Sequence, residues 1–172
     1  MRYIEIKNLD GVKAFVDEKL YIRASKRALK ESVRWLKKEI VKDVRARYNI
    51  KASVLKAKMK EKYGYVGSRY AWRLDVQGRP MSLTHFGAKQ TKKGVTVKIK
   101  KNIGRKLIRH AFIAKNQVFI RETKRRLPIK ALKTLSVPQM FRPEIIDRRV
   151  EEANEKYQKR FYHHLQYLSG GR

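Results

Sequence analysis

Acid–base or glycosidic chemistry by carboxylates needs at least two acids converging on one cleft. The middle of this chain, residues 62–143, holds only Asp75 and Glu122. Both fall on expected strand positions, where charged side chains face solvent or pair with lysine, so they read as counter-ions in a basic surface. A two-metal nuclease would need several acids close together, which the same stretch lacks. Of the four histidines, His85 and His110 lie on expected strands and could be neighbours across a sheet. Without cysteine or a nearby acid they do not make a zinc set. His163 and His164 are adjacent on an expected helix, about 100° apart, and cannot share a metal as an i, i+4 pair does. The segment from Gly87 to Gly94 is rich in glycine and lysine but lacks P-loop spacing and joins strands rather than opening a helix. No catalytic residue, metal ligand or cofactor is expected.

What remains is positive charge. The chain has 45 Lys and Arg against 15 Asp and Glu, formally +30. Residues 1–61 carry net +10, residues 144–172 net +1, and residues 62–143 net +19 with 21 basic and two acidic groups. Such a block repels itself and is best tolerated beside a polyanion or an acidic protein surface. The candidate DNA or polyanion contacts are Lys89, Lys92 and Lys93 on the loop, Lys98 and Lys100 just beyond it, and Arg125 and Arg126. The last two sit in a second cluster with Arg121 and Lys124. Each cluster reads either as a polyanion contact or as a solvated loop. The aromatics of the block, Tyr63, Tyr65, Tyr70, Trp72, Phe86, Phe112 and Phe119, fall mostly at apolar strand positions and are expected in the core. Base stacking would need them exposed.

The elements that must position these groups follow from periodicity. Tyr3 to Lys7 alternates as a short strand, and a helical pattern runs from about 11 to 47. Leu29, Val33, Leu36, Ile40 and Val44 make one apolar stripe, with Trp35 about 100° off it. A short helix is expected from 52 to 60. Strands are expected over 70–76, 81–86, 95–99, 107–114 and 118–122, with a tight turn at Lys115-Asn116-Gln117. Short turns favour antiparallel pairing. From Pro143 to about Ser169 a helix carries the stripe Ile146, Val150, Ala153, Tyr157, Phe161, Leu165 and Leu168. The predicted class is α+β, with an antiparallel sheet or small barrel of about five strands, a long basic N-terminal helix and a C-terminal amphipathic helix. One domain is expected over 1–172, organised as helices over 11–61, a sheet core over 68–123, an extended docking segment over 124–142 and the helix over 143–169. In the docking segment Leu127, Ile129, Leu132, Val137, Met140 and Phe141 carry too much apolar surface to be left in water. They are the candidate partner contacts. With 42% hydrophobic residues a core is feasible. The absence of cysteine excludes disulfides. The lack of an ~18-residue apolar run or a signal pattern leads us to expect no membrane partner and synthesis in a reducing cytoplasm.

Beyond composition, the order of segments resembles the minor tail protein Z family of long-tailed bacteriophages. The likeness is carried by Ser25 to Leu29, Tyr48 to Lys51, the hairpin from Gly87 to Gly94, Ala111-Phe112-Ile113, Leu127-Pro128-Ile129 and Val137 to Phe141. It departs from the family pattern at Arg109-His110, where a Pro-Gly pair is expected, and at the short glycine-free turn 115–117. The resemblance implies a structural virion protein of the tail's head-proximal end or neck, assembled in the host cytoplasm. It further implies a ring matching sixfold tail symmetry, tail and neck proteins with acidic surfaces as partners, and a passage for genomic DNA. A compact chain of this length is roughly 40 Å tall, a height that about 24 duplex phosphates cross. Six copies would bring about 180 positive charges, so most basic groups must face acidic proteins or ions, and one loop per subunit suffices to line the passage. The competing reading from charge alone is a cytoplasmic nucleic-acid-binding or ribosome-associated protein.

Overall fold

A computed structural model of the chain describes residues 17–66 and 69–170. The expected strand 3–7 and the first residues of the expected helix 11–47 lie outside them. The architecture is α+β, as the sequence predicts. The chain divides into two compact units: Met1–Ile40, Lys60–Asp75 and Arg142–Arg172 form the first, and Val41–Met59 with Val76–Phe141 the second.

The first unit is built on two helices, the first of which continues past Ile40 into the second unit. Helix α1 (Glu18–Arg47) opens where Asp17 Oδ1 accepts from the backbone N–H groups of Lys19 and Leu20, at 2.8 and 3.1 Å, satisfying donors that a helix start leaves free. Helix α4 (Pro143–Leu168) starts on a proline, whose missing N–H costs nothing there. The predicted stripes face inward. Leu29, Val33 and Leu36 of α1 and Ala153, Tyr157 and Phe161 of α4 are all 2% exposed or less. Tyr21 meets Phe161 edge-on at 5.3 Å, Tyr157 stacks on Phe161 at 6.1 Å, and the Tyr157 hydroxyl donates to Ser25 Oγ at 3.3 Å. Trp35, off the stripe, is covered by the Lys156 ammonium 5.2 Å from its ring. Around this core Glu31 pairs with Arg160 at 3.2 Å and with His164 at 3.0 Å, and Glu39 pairs with Arg149.

Strands β1 (Met59–Val66) and β2 (Arg69–Val76) form a two-stranded sheet. The sequence predicts only the second, because Lys60-Glu61-Lys62 interrupts any apolar alternation in the first. Asp75 is buried, and Arg73 Nη2 donates to its Oδ2 at 2.9 Å, while Arg73 Nε lies 2.9 Å from Oδ1 and Lys62 Nζ 3.3 Å from Oδ2 as ion pairs. The Arg73 hydrogen bond, aided by Lys62 and opposed by burial, holds the Asp75 carboxyl below its ordinary 3.8. A carboxylate depressed by folding adds stability that is present above its unfolded value and lost as pH falls through the folded one. Asp75→Asn should therefore flatten the loss of stability below about pH 4, read as urea midpoints across that range. An unchanged acid limb would count against the role of this pair.

The second unit holds two three-stranded antiparallel sheets. In order they are β3 (Lys89–Thr91), β4 (Gly94–Val97) and β5 (Lys106–Arg109), then β6 (Ala111–Ala114), β7 (Gln117–Arg121) and β8 (Ile129–Leu132). The expected single strand 107–114 is broken at His110, whose φ of 60° turns the chain out of the extended region. One half pairs with β4 and the other with β7, which turns one expected sheet into two. Lys115 and Asn116, both at positive φ, make the two-residue turn that places Ala114 opposite Gln117 and that matches strand twist. The expected strand 81–86 is instead a 3-10 turn, Leu83–Phe86. Ser82 Oγ accepts from Thr84 N and Thr84 Oγ1, and Gly87 closes the turn at φ 65°. Such local side-chain bonds outcompete a ladder. Helix α2 (Ala52–Ala57) and the one-turn helix α3 (Val137–Met140) complete this unit, α3 entered where Gln139 Oε1 accepts from Ser136 N at 2.9 Å.

Candidate polyanion-binding site

The charge of the chain is chiefly a property of the second unit. Its segments hold 23 Lys and Arg against Asp43 and Glu122 alone, net +21. Two carboxylates cannot neutralise 23 cations, whereas the ion pairs around Glu31, Glu39, Glu61, Asp75 and Glu152 all belong to the first unit.

Lys89 is exposed on β3, and Lys92 and Lys93 are exposed at the β3–β4 turn. Lys98 and Lys100 are half-buried beyond β4, with Lys100 bridged antiparallel to Tyr48. Arg125 and Arg126 are exposed in the bend between β7 and β8. The expected set therefore does not form one site. Lys92 and Lys93 converge instead with Arg109, His110 and Arg121 on a cleft of about 450 Å³, lined also by Gln90, Gly94, Ala111 and Phe112. Arg109 was outside the expected set, and its only signal is register, since β4 pairing sets it opposite Gly94. Arg121, grouped by sequence with Lys124 to Arg126, reaches the cleft because it ends β7.

Backbone and side-chain bonds fix the cleft wall. His110 N donates to the Lys93 carbonyl at 3.3 Å, and Gln90 Oε1 accepts from Ile113 N at 2.9 Å. Thr91 Oγ1 and Gln90 Nε2 both donate to the Gly94 carbonyl, at 2.8 and 3.3 Å. The Arg121 guanidinium lies 5.0 Å from the centre of the Phe112 ring, which stacks on Phe119 at 5.9 Å. A cation over an aromatic face is held in place by the ring quadrupole.

The candidate docking residues divide. Leu127 and Ile129 are exposed and Leu132 is half-buried, but Val137, Met140 and Phe141 are 0, 1 and 7% exposed. These last three are buried within the chain and are not available to a partner. Residues 129–132 are not a free arm either, since β8 pairs with β7 from Val118↔Leu132 to Arg121↔Ile129. The aromatics also depart from expectation. Trp72 and Phe86 are buried, but Tyr63 and Tyr65 are 39 and 57% exposed, packed on Tyr70 at 6.4 and 5.2 Å. They sit on a two-stranded sheet, which has no second layer of its own to cover one face.

No group of three His, Asp or Glu among the described residues is placed to hold a metal, and no described helix is long and apolar enough to cross a membrane. Comparison with protein-family models, curated proteins and solved structures found no match to this chain.

Proposed function

We propose that this chain is a structural virion protein of the head-proximal end of a long-tailed phage tail. It completes the tail, supports head–tail joining and surrounds the DNA passage. The observation that carries the reading is the order of segments resembling the tail protein Z family, from Ser25 through Phe141. The concentration of charge in one unit fits a protein that meets acidic neighbours and the genome together. The subunit forms a sixfold ring, works in the virion after assembly in the host cytoplasm, and performs no catalysis.

Charge alone would also suit a nucleic-acid-binding or ribosome-associated protein, and a native mass measurement separates the two. The virion reading expects a closed ring of identical subunits, or capture by tail proteins, since cyclic symmetry closes an assembly. A monomer that binds RNA tightly and ignores tail proteins would favour the alternative.

A further inference from the structure

We infer that the cleft between the β3–β4 turn and the kink at His110 is a binding site for the sugar–phosphate backbone of duplex DNA. Lys92, Lys93, Arg109 and Arg121 are its contacts. The inference deepens the virion reading by naming the part of the subunit that meets the genome.

Four features point to that ligand. The lining contains four permanent cations and no carboxylate, so the cleft is unfavourable when empty of anions. Arginine offers a planar fork that matches phosphate oxygens in pairs, and lysine adds mobile point charge. These cations line an open cleft of about 450 Å³, more room than one small ion fills and enough for successive phosphates. The cleft wall is fixed by the His110–Lys93 and Ile113–Gln90 hydrogen bonds, so its backbone need not be ordered on binding.

Two alternatives fit less well. Single-stranded nucleic acid would need an open aromatic face for base stacking, but Phe112 is occupied by the Arg121 guanidinium on one side and by Phe119. An acidic protein would need an apolar anchor at the centre of the contact. Among the lining residues, Ala111 is only 3% exposed, and the half-buried Phe112 carries the Arg121 guanidinium over its ring. Backbone phosphates require neither, and contacts to them carry no sequence preference, as a passage for a whole genome demands.

The test uses the full chain, a short duplex of random sequence and a salt titration. Each phosphate contact contributes about 0.9 to the slope of log K against log salt. Arg109→Gln with Arg121→Gln should thus lower the slope by about 1.8, while Lys38→Gln with Lys159→Gln, exposed on α1 and α4, should leave it unchanged. Equal losses from both pairs would mean that net charge binds DNA without a site, and would overturn the inference. So would a cleft pair that loses binding to polyglutamate while keeping its DNA slope, which would assign the cleft to an acidic protein. Because Arg121 stacks on Phe112 and its loss could disturb folding, lysine acetylation of the unmodified chain provides a second reading. Bound duplex should protect Lys92 and Lys93 and spare Lys38 and Lys159, and uniform protection would contradict the site. Ring formation, followed by native mass, is independent of every one of these results.

Discussion

Gly94→Ala should destabilise the second unit by ~3 kcal/mol or more, the cost expected when a strained backbone position also meets a fixed neighbour. Gly94 has a φ of 143°, a conformation that side-chain-bearing residues rarely adopt. An added Cβ would lie 2.2 Å from the Ile108 carbonyl oxygen and 3.0 Å from Arg109 Cα. Both obstacles are backbone of the paired strand β5, so no rotamer change relieves them. Relief requires β4 and β5 to separate, which undoes the register that brings Arg109 opposite Gly94 beside Lys93. Urea unfolding should show the loss as a lower midpoint, and the DNA salt slope should fall with it. Gly104→Ala is the control, because nothing lies within 4 Å of the Cβ it would add. Equal midpoints for the two variants would show that the close approach is not real.

Phe161→Ala should cost about 3–5 kcal/mol, the usual range for emptying a fully buried aromatic site. Phe161 has no exposed surface and touches both Tyr21 and Tyr157, and such ring pairs add to the area term. Ala24 and Ala28 of α1 and Ala153 of α4 are also fully buried, and side chains this small cannot expand to fill a cavity left in the core. Tyr157→Phe, which removes only the hydroxyl bonded to Ser25, should cost about 1 kcal/mol. A Phe161→Ala loss below that of Tyr157→Phe, by urea midpoint, would mean that the helix pair is not organised around these rings.

The two helices were legible because their stripes span many turns. Leu29, Val33, Leu36, Ile40 and Val44 repeat a single period, and tertiary packing only confirms it. The sheets were less legible, for identifiable physical reasons. Ile108 to Ile113 reads as one continuous strand, and nothing in Arg109-His110 announces a left-handed residue as a glycine would. The 3-10 turn at Leu83–Phe86 rests on two hydroxyl bonds of Ser82 that no apolar pattern encodes. In the segment 127–141 the sequence correctly registers an excess of apolar surface, but burial within the chain and burial against a partner leave the same pattern. Val137, Met140 and Phe141 took the first course and Leu127 did not. The cleft was half legible. The lysines at its turn stand out in the sequence, whereas the arginines that complete it depend on the strand register of Arg109 and the β7 end position of Arg121.

Electron microscopy of tails assembled without this chain asks whether it finishes the head-proximal end of a tail. The expected result is tails with abnormal or unfinished head-proximal ends that fail to join filled heads, with joining restored when the purified protein is added. Normal tails joined to heads in its absence would contradict it.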